Sequence, residues 1–288
     1  MANYIINQQI VIVCSRGDSR GTIKAEEEEY ADDLVCLAGT VHEAKLIVNN
    51  YNETFSRFGM TIAKDKTETV AFNCSETIQE QDSLFTIDGV PIKNVSTFKY
   101  LGYKISNETS NNIDAQFRIT LAENKFHEMK KLMCDREIPI KLRARMFLQA
   151  FVRSRMCYSV QAWTIKEHEM KLFESKWHGL LRRMINGGFT RKKDSMSYKY
   201  SNEDLVRITG TNPIRNFIQK QQLKFIAHVC RMNNKDIRKQ VLFTKEIKNS
   251  HSIWNSWEKI LNIDRSQIWK IMMDKKRFFD FLDKINLH

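Results

Sequence analysis

The pattern of hydrophobic and polar positions changes near residue 111 of this 288-residue chain. Before that point apolar residues alternate with polar ones or form short runs, which is typical of strands. The pattern predicts strands over the LVCLA run after Asp33, over 60–63 and 69–72, on both sides of a turn at Asp88-Gly89, and over 98–105 with an interruption at Gly102. Residues 9–14 are compatible with a strand, but the loop-like and acidic residues that follow predict a poorly packed arm over 1–29.

One helix is predicted in this first part, between Thr40 and Gly59. Thr40 followed by Glu43 forms a capping box, and a glycine is typical of the position just past a helix end. The apolar residues in between recur every three or four positions: Ala44, Ile47, Val48, Tyr51, Phe55 and Phe58. This stripe predicts that the helix packs against a sheet.

Beyond residue 111 the apolar period becomes 3.6 and predicts helices throughout. We expect them near 112–134, 140–160, 166–186, 202–208 and 213–232, with two short helices within 252–285. Pro139 and Pro213 fall at first-turn positions, where a missing N–H is tolerated. The predicted fold class is therefore α+β, with short antiparallel strands and one helix followed by an all-α region.

The charge divides the chain at the same place. Residues 1–110 hold 10 Lys and Arg against 16 Asp and Glu, a net charge of −6, whereas 111–288 hold 36 against 18, a net charge of +18. A basic helical part favours nucleic-acid binding, and the acidic part favours metal-ion chemistry. The alternative is that the Lys and Arg side chains only solvate exposed helix faces.

Composition excludes several classes of protein. With 42% hydrophobic residues and only 3 Pro, the chain is neither disordered nor collagen-like. It has no apolar run near the ~18 residues that span a bilayer and no signal-peptide pattern, so we expect an intracellular protein, nuclear or cytoplasmic, without membrane association. The six cysteines include no CxxC pair and are expected to be free thiols.

The tetrapeptide Tyr30-Ala31-Asp32-Asp33 places two adjacent carboxylates at the tip of a predicted hairpin. Like charges ~4–6 Å apart repel each other, and a bound divalent cation between them removes that energetic penalty. In nucleotidyl transfer, carboxylates from neighbouring strands hold two Mg²⁺ ions that activate the attacking hydroxyl and the leaving pyrophosphate. The alternative is an ordinary polar Asp-Asp turn.

The order of the segments carries a family resemblance. YADD, an apolar strand, the capped helix, Lys66-Thr67-Glu68 and Phe98–Gly102 follow one another as in the palm of non-LTR (LINE-type) retrotransposon reverse transcriptases, which they resemble. Four later segments resemble parts of the same elements: YSVQAW at 158–163, KLFESKWHGLLRRMI at 171–185, SNEDLVRITG at 201–210 and LKFIAHVCRM at 223–232. The resemblance implies a partial palm at 30–110, a thumb-like region at 111–200 and a C-terminal helical region at 201–288, after an irregular arm at 1–29.

The resemblance also implies roles for particular residues. Asp32 would ligate the metal beside Asp33, Tyr30 would shape the turn near the primer end, and Lys66 would lie near the triphosphate as a general acid, unless it is simply an exposed turn lysine. Phe98, Tyr100 and Gly102 match the primer grip, and the same segment is also compatible with a buried edge strand. Template–primer RNA and DNA would be the partners, and the basic residues expected to contact them are Arg143, Arg153, Arg182, Arg183, Arg191, Lys192 and Lys193.

The chain also departs from the family pattern. Polymerisation needs a third carboxylate on an earlier strand, followed by a long helix, and the stretch from the only upstream candidate, Asp18, to Asp32 is too short for both. Glu26 to Glu29 replace apolar residues of the strand that enters YADD, where buried charges would be costly. We therefore expect weak or absent Mg²⁺ binding and no polymerisation by this chain alone. The alternatives are a non-catalytic nucleic-acid-binding protein and a degenerate remnant without function.

Overall fold

The structure is a computed structural model that describes residues 9–15, 27–30, 33–72, 74–107, 112–163, 166–186, 189–192, 195–236, 238–240 and 261–284. The chain divides into two compact units, Met1–Asp114 and Ala115–His288. This division lies close to the change of pattern and charge near residue 111. The predicted α+β class is confirmed, because the strands concentrate in the first unit and the helices in the second.

The first unit contains a six-stranded sheet. In chain order its strands are β1 (Gln9–Ser15), β2 (Glu27–Tyr30), β3 (Asp33–Ala38), β4 (Glu68–Phe72), β5 (Ser83–Ile87) and β6 (Val90–Asn94). Their spatial order is β2-β3-β1-β4-β6-β5. Helix α1 (Val41–Arg57) connects β3 to β4, a short helix α2 (Glu76–Gln79) follows β4, and β7 (Thr97–Tyr100) pairs with β8 (Tyr103–Ser106) in a separate hairpin.

Strand β1 differs most from the expectation of a poorly packed arm. It lies at the centre of the sheet and pairs in parallel with both β3 and β4. A continuous apolar run such as IVIVC is typical of a central parallel strand. The loop-like and acidic residues that follow it do not prevent this strand from forming. The sheet is consequently mixed, and the prediction of antiparallel strands only is wrong.

Alternation along β3 places core residues on both faces of the sheet. Leu34, Cys36 and Ala38 pack with α1, whereas Val35 packs with Val70 of β4 and Phe98 of β7. The predicted helix limits are confirmed: the Thr40 hydroxyl accepts a hydrogen bond from the Glu43 amide at 3.1 Å, and Gly59 has φ +72° just past the end.

Two strand predictions in this unit need correction. Residues 60–63 form a loop rather than a strand. The 98–105 segment is a hairpin rather than one interrupted strand, because Leu101 and Gly102 adopt φ of +47° and +81° and form a tight turn. Leucine rarely takes positive φ, so the sequence signalled this turn weakly. The predicted Asp88-Gly89 turn is confirmed, with φ of +47° and +78°.

Helices dominate the second part of the chain, as predicted. They are α3 (Asn112–Glu128), α4 (Lys130–Met133), α5 (Ile140–Arg143) continued by a π-helix (Ala144–Arg153) and by α6 (Ser154–Met156), a 3₁₀ turn (Val160–Ala162), α7 (Glu167–Ile185), α8 (Asn202–Thr209), α9 (Ile214–Cys230), α10 (Arg265–Met273) and α11 (Lys275–Lys284). A two-stranded hairpin of β9 (Phe189–Lys192) and β10 (Ser195–Tyr198) connects α7 to α8, so the all-α prediction is wrong there. None of the helices formed by the described residues combines the length and the apolar character needed to cross a bilayer.

Arg143 lies in the interior of the second unit. Its side chain is buried, and its guanidinium donates to the carbonyl oxygens of Ile138 (2.8 Å), Met133 (2.8 Å) and Met184 (3.1 Å). Met133 ends α4 and Met184 lies in the last turn of α7, where carbonyl groups lack partners within their own helix. One arginine therefore satisfies the ends of two helices.

We expect Arg143→Met to lower the free energy of unfolding of the second unit by about 2–4 kcal/mol, because several buried carbonyl groups lose their donor. Arg145→Met is the matched control, because Arg145 lies two residues further along the same continuous helical segment and its side chain is exposed. Urea unfolding can be followed by tryptophan fluorescence, because all five tryptophans lie beyond residue 115. Equal unfolding midpoints for the two variants would contradict this role.

Candidate active site and nucleic-acid interface

The YADD tetrapeptide connects two antiparallel strands. Tyr30 at the end of β2 pairs with Asp33 at the start of β3, and Ala31 lies outside the described residues. The described residues include the backbone of Asp33 but not Asp32. Strand β2, which carries Glu27 to Glu29, is an edge strand of the sheet. Edge strands commonly carry charged residues. This position therefore suits the acidic run without the cost of burial that the family resemblance implied.

Parallel pairing places the start of β3, which follows YADD, and the start of β4, which follows Lys66, at the same end of the sheet. Strands β3, β1 and β4 run in the same direction, with Asp33 paired to Gln9 and Val11 paired to Glu68. Lys66 lies in the turn that precedes β4 by two residues. Strand β1 lies between β3 and β4, so those two strands are ~10 Å apart.

The loop that carries Lys66 is fixed by short hydrogen bonds. The Lys66 amide and the Thr67 hydroxyl both donate to the Ala63 carbonyl, at 3.1 and 2.8 Å, and Thr67 is buried. Lys64 forms an ion pair with Asp88 at 2.8 Å and holds the pKa of that carboxyl below its ordinary value. The backbone is thus fixed while the Lys66 side chain is exposed. This arrangement is compatible with a ligand contact and equally with a plain turn lysine.

The residues at this end of the sheet do not fit a site for two Mg²⁺ ions. The strand position beside Asp33 is Gln9 rather than a carboxylate. Within the described part of the chain, no three His, Cys, Asp or Glu residues lie close enough together to hold a metal ion. Two-metal sites depend on carboxylates from more than one strand. Asp33 and, on the far side of β1, Glu68 are the acidic residues that the pairing of the described strands β1, β3 and β4 brings to this end of the sheet, so water would supply most ligands of a bound ion.

The residues matched to a primer grip divide between core and surface. Phe98 is only 3% exposed and packs with Val35 and Val70, so its ring cannot stack on a nucleic acid. Tyr100 is partly buried against the same cluster. Gly102 lies in the turn, with the preceding Leu101 at the surface. Any contact by this hairpin would therefore involve the turn, and the buried-strand interpretation of Phe98 agrees with its place in the core.

Two of the predicted phosphate contacts do not fit the structure. Arg143 is buried and bonded to backbone carbonyls, as described above. Arg153 is half-buried, its guanidinium carbon lies 4.1 Å from the centre of the Phe217 ring, and burial lowers its pKa. The helical spacing from which both were predicted does not distinguish an outward arginine from an inward one. Both residues act in packing.

The other basic residues lie close together in the sequence, at and after the end of α7. Arg182 donates to the Asn202 side chain at 2.7 Å, and Arg183 is exposed. Arg191 and Lys192 are on β9, and Lys193 follows β9 in the sequence. The side chains of Arg191 and Lys192, and all of Lys193, lie outside the described residues. Sequence reasoning did not single out Asn202, because the SNEDL segment signals only a helix start.

Comparisons with protein-family models, with curated proteins and with solved structures find no match to this chain.

Binding of Mg²⁺ by the full chain is expected to be weak, well above low-micromolar dissociation constants, because water supplies most of the ligands. The variant Gln9→Asp adds a carboxylate beside Asp33 and should strengthen binding about tenfold, while Gln9→Asn should not. Isothermal titration calorimetry measures both. Low-micromolar binding in the unmodified chain that is lost in Asp32→Asn would show that the ligand set is more complete than this account holds.

Proposed function

We propose that this chain is a fragment derived from a LINE-type reverse transcriptase that binds nucleic acid and does not polymerise by itself. By descent its reaction is RNA-directed DNA synthesis. The observation that carries the proposal is that β3, which follows YADD, and β4, which follows Lys66, begin at the same end of the sheet on either side of β1. YADD and the Lys66 loop are the two segments that the resemblance assigns to the reaction centre, and they are more than thirty residues apart in the chain.

We propose that the first unit contains the partial palm, and that the second contains the thumb-like region and the C-terminal helical region, that the resemblance implies. In the first unit, α1 packs on one face of the sheet that carries the turn, and the β7–β8 hairpin packs on the other. The second unit is helical and basic, in keeping with a part that follows a phosphate backbone. These features support a palm and a thumb as proposals.

The incomplete carboxylate set argues against independent catalysis. A polymerase centre needs a carboxylate from the strand next to the YADD turn, and in this chain that strand is β1, which carries no Asp or Glu. The proposed activity of the chain as it stands is therefore binding rather than synthesis. Asp32, Asp33 and Lys66 remain the residues through which a complete centre would act.

A second candidate is a nucleic-acid-binding protein with no catalytic role at all. The net charge of +18 on residues 111–288 favours it, and so does the run of basic residues in the sequence from Arg182 to Lys193. The two candidates share nucleic-acid binding by the second unit and differ only in the use of the YADD edge.

On a primed RNA template with Mg²⁺ and dNTPs, the full chain should extend no primer above background, because the third carboxylate is lacking. A denaturing gel with a labelled primer measures extension, with a commercial reverse transcriptase as the positive control. Template-dependent extension that disappears in Asp32→Ala would contradict the proposal.

Nucleic-acid binding by the full chain should weaken steeply with salt, since each neutralised phosphate contributes a log–log slope of ~−0.7 to −0.9. Replacing Arg183, Arg191, Lys192 and Lys193 by Gln should flatten that slope and weaken all sequences alike. The matched control replaces four exposed basic residues of the first unit: Lys45, Arg57, Lys93 and Lys99. Fluorescence anisotropy at several salt concentrations gives the slopes. If both quadruple variants behave alike, the basic residues near α7 only solvate the surface.

A further inference from the structure

A groove between α7 and α8 in the second unit has no assigned role. Its volume is about 740 Å³, and it runs along one side of α7 from Lys171 past Gly179 to Arg182. The opposite wall comes from α8, beginning at Asn202. This side of α7 is distinct from its buried apolar side, which consists of Phe173, Trp177, Leu180, Leu181 and Met184.

Small residues keep the groove open down to the helix backbone. Ser175 and Gly179 are one turn apart on α7, and a Cβ atom built on Gly179 would meet nothing within 4 Å. A glycine inside a helix usually costs stability relative to alanine and is often explained by close packing against a neighbour. Among the described residues there is no such neighbour, so the glycine leaves space beside the backbone.

The two ends of the groove differ in charge. Towards the start of α7, Arg215 binds both Glu167 and Glu174 through pairs of hydrogen bonds of 2.8–3.0 Å, which neutralises much of the acidic charge there. At the other end, the Asn202 side chain accepts a hydrogen bond from the Arg182 guanidinium at 2.7 Å, and Glu203 and Arg207 also line the wall, with Arg207 paired to Asp204. One end therefore holds a cation shared between two glutamates, and the other holds the Arg182 guanidinium beside Asn202.

Between these ends lies His178, whose side chain lines the groove. Burial and the neighbouring Arg182 lower the pKa of His178, so its imidazole is neutral at pH 7. A neutral imidazole offers one hydrogen-bond donor and one acceptor, as the edge of a nucleobase does. Ser175 adds a hydroxyl group on the same wall.

The size of the groove decides which form of nucleic acid it could admit. Pockets of ~300–1,000 Å³ hold molecules the size of a cofactor or a drug. A duplex is far larger and presents its bases only within its own grooves, whereas an unpaired nucleotide exposes its base and its phosphate together. A pocket with hydrogen-bonding groups in the middle and a cation at one end matches the unpaired nucleotide.

We propose that the α7–α8 groove binds an unpaired nucleotide of a single-stranded nucleic acid, with the phosphate at Arg182 and the base over Gly179. The inference rests on the proposed nucleic-acid binding by the second unit and adds the place and the strandedness. It assigns Arg182 and Asn202 to the phosphate end, and Ser175 and His178 to the base.

The sharpest test fills the groove. Gly179→Leu places a side chain in the open space, whereas Gly179→Ala adds only a methyl group and is the matched control. Binding of the full chain to a labelled single-stranded 12-nucleotide RNA, and to the duplex of the same sequence, is measured by anisotropy. We expect Gly179→Leu to weaken single-strand binding about tenfold and Gly179→Ala less than twofold, with duplex binding unchanged by either.

Asn202→Asp provides an independent variant that leaves the groove volume intact. An aspartate at the first position of α8 suits the helix amino terminus and pairs with Arg182, so it should preserve the fold while withdrawing the charge from the phosphate. We expect a loss of single-strand affinity similar to that of Gly179→Leu. Circular dichroism and tryptophan fluorescence confirm that each variant is folded.

Each result bears on one claim. If the unmodified chain binds single strands and folded Gly179→Leu and Asn202→Asp bind equally well, the groove assignment is wrong while nucleic-acid binding stands. If a polyglutamate peptide binds in place of RNA and Gly179→Leu abolishes that binding, the groove is a peptide site and the inference is overturned. If the unmodified chain binds neither RNA form, the proposed function itself fails.

Discussion

The first unit depends on the parallel pairing of β1 with both β3 and β4. This pairing fills the centre of the sheet. It also sets the register that places Asp33, Gln9 and the start of β4 at the same end of the sheet. It also determines what the site lacks, because the residue that it brings beside Asp33 is an amide rather than a carboxylate. A nucleotidyl-transfer centre requires several carboxylates around its metal ions. The proposal that the chain binds nucleic acid without polymerising takes this strand pairing as its starting point.

The charge difference between the two parts of the chain gives the proposed function its physical basis. The acidic first part cannot attract a polyanion, whereas the +18 charge of residues 111–288 can. Part of that positive charge is used inside the fold, as in Arg143, which satisfies helix ends, and Arg215, which is shared between two glutamates. The charge that remains at the surface of the described residues includes Arg183 and Arg145. Only this remainder is relevant to nucleic-acid binding.

Local signals predicted the elements that local chemistry determines. Thr40, Glu43 and Gly59 marked α1, and Asp88-Gly89 marked a hairpin, because caps and tight turns depend on a few neighbouring residues. The central position of strand β1 could not be predicted, because it depends on pairing with residues more than twenty positions away in the sequence. The Leu101-Gly102 turn and the β9–β10 hairpin lacked strong turn residues. At the candidate site, the YADD turn was predictable, but the neighbour Gln9 and the inward direction of Arg143 depend on tertiary structure and could not be derived from spacing.

Photo-crosslinking tests the central claim, nucleic-acid binding by the basic second unit, most directly. The full chain is irradiated with a single-stranded RNA that contains 4-thiouridine, and the crosslinked peptides are identified by mass spectrometry. The account predicts adducts concentrated between residues 171 and 207, which include α7, the β9–β10 hairpin and α8. Adducts confined to residues 1–110, or crosslinking no greater than that of a protein of equal size and neutral charge, would contradict it.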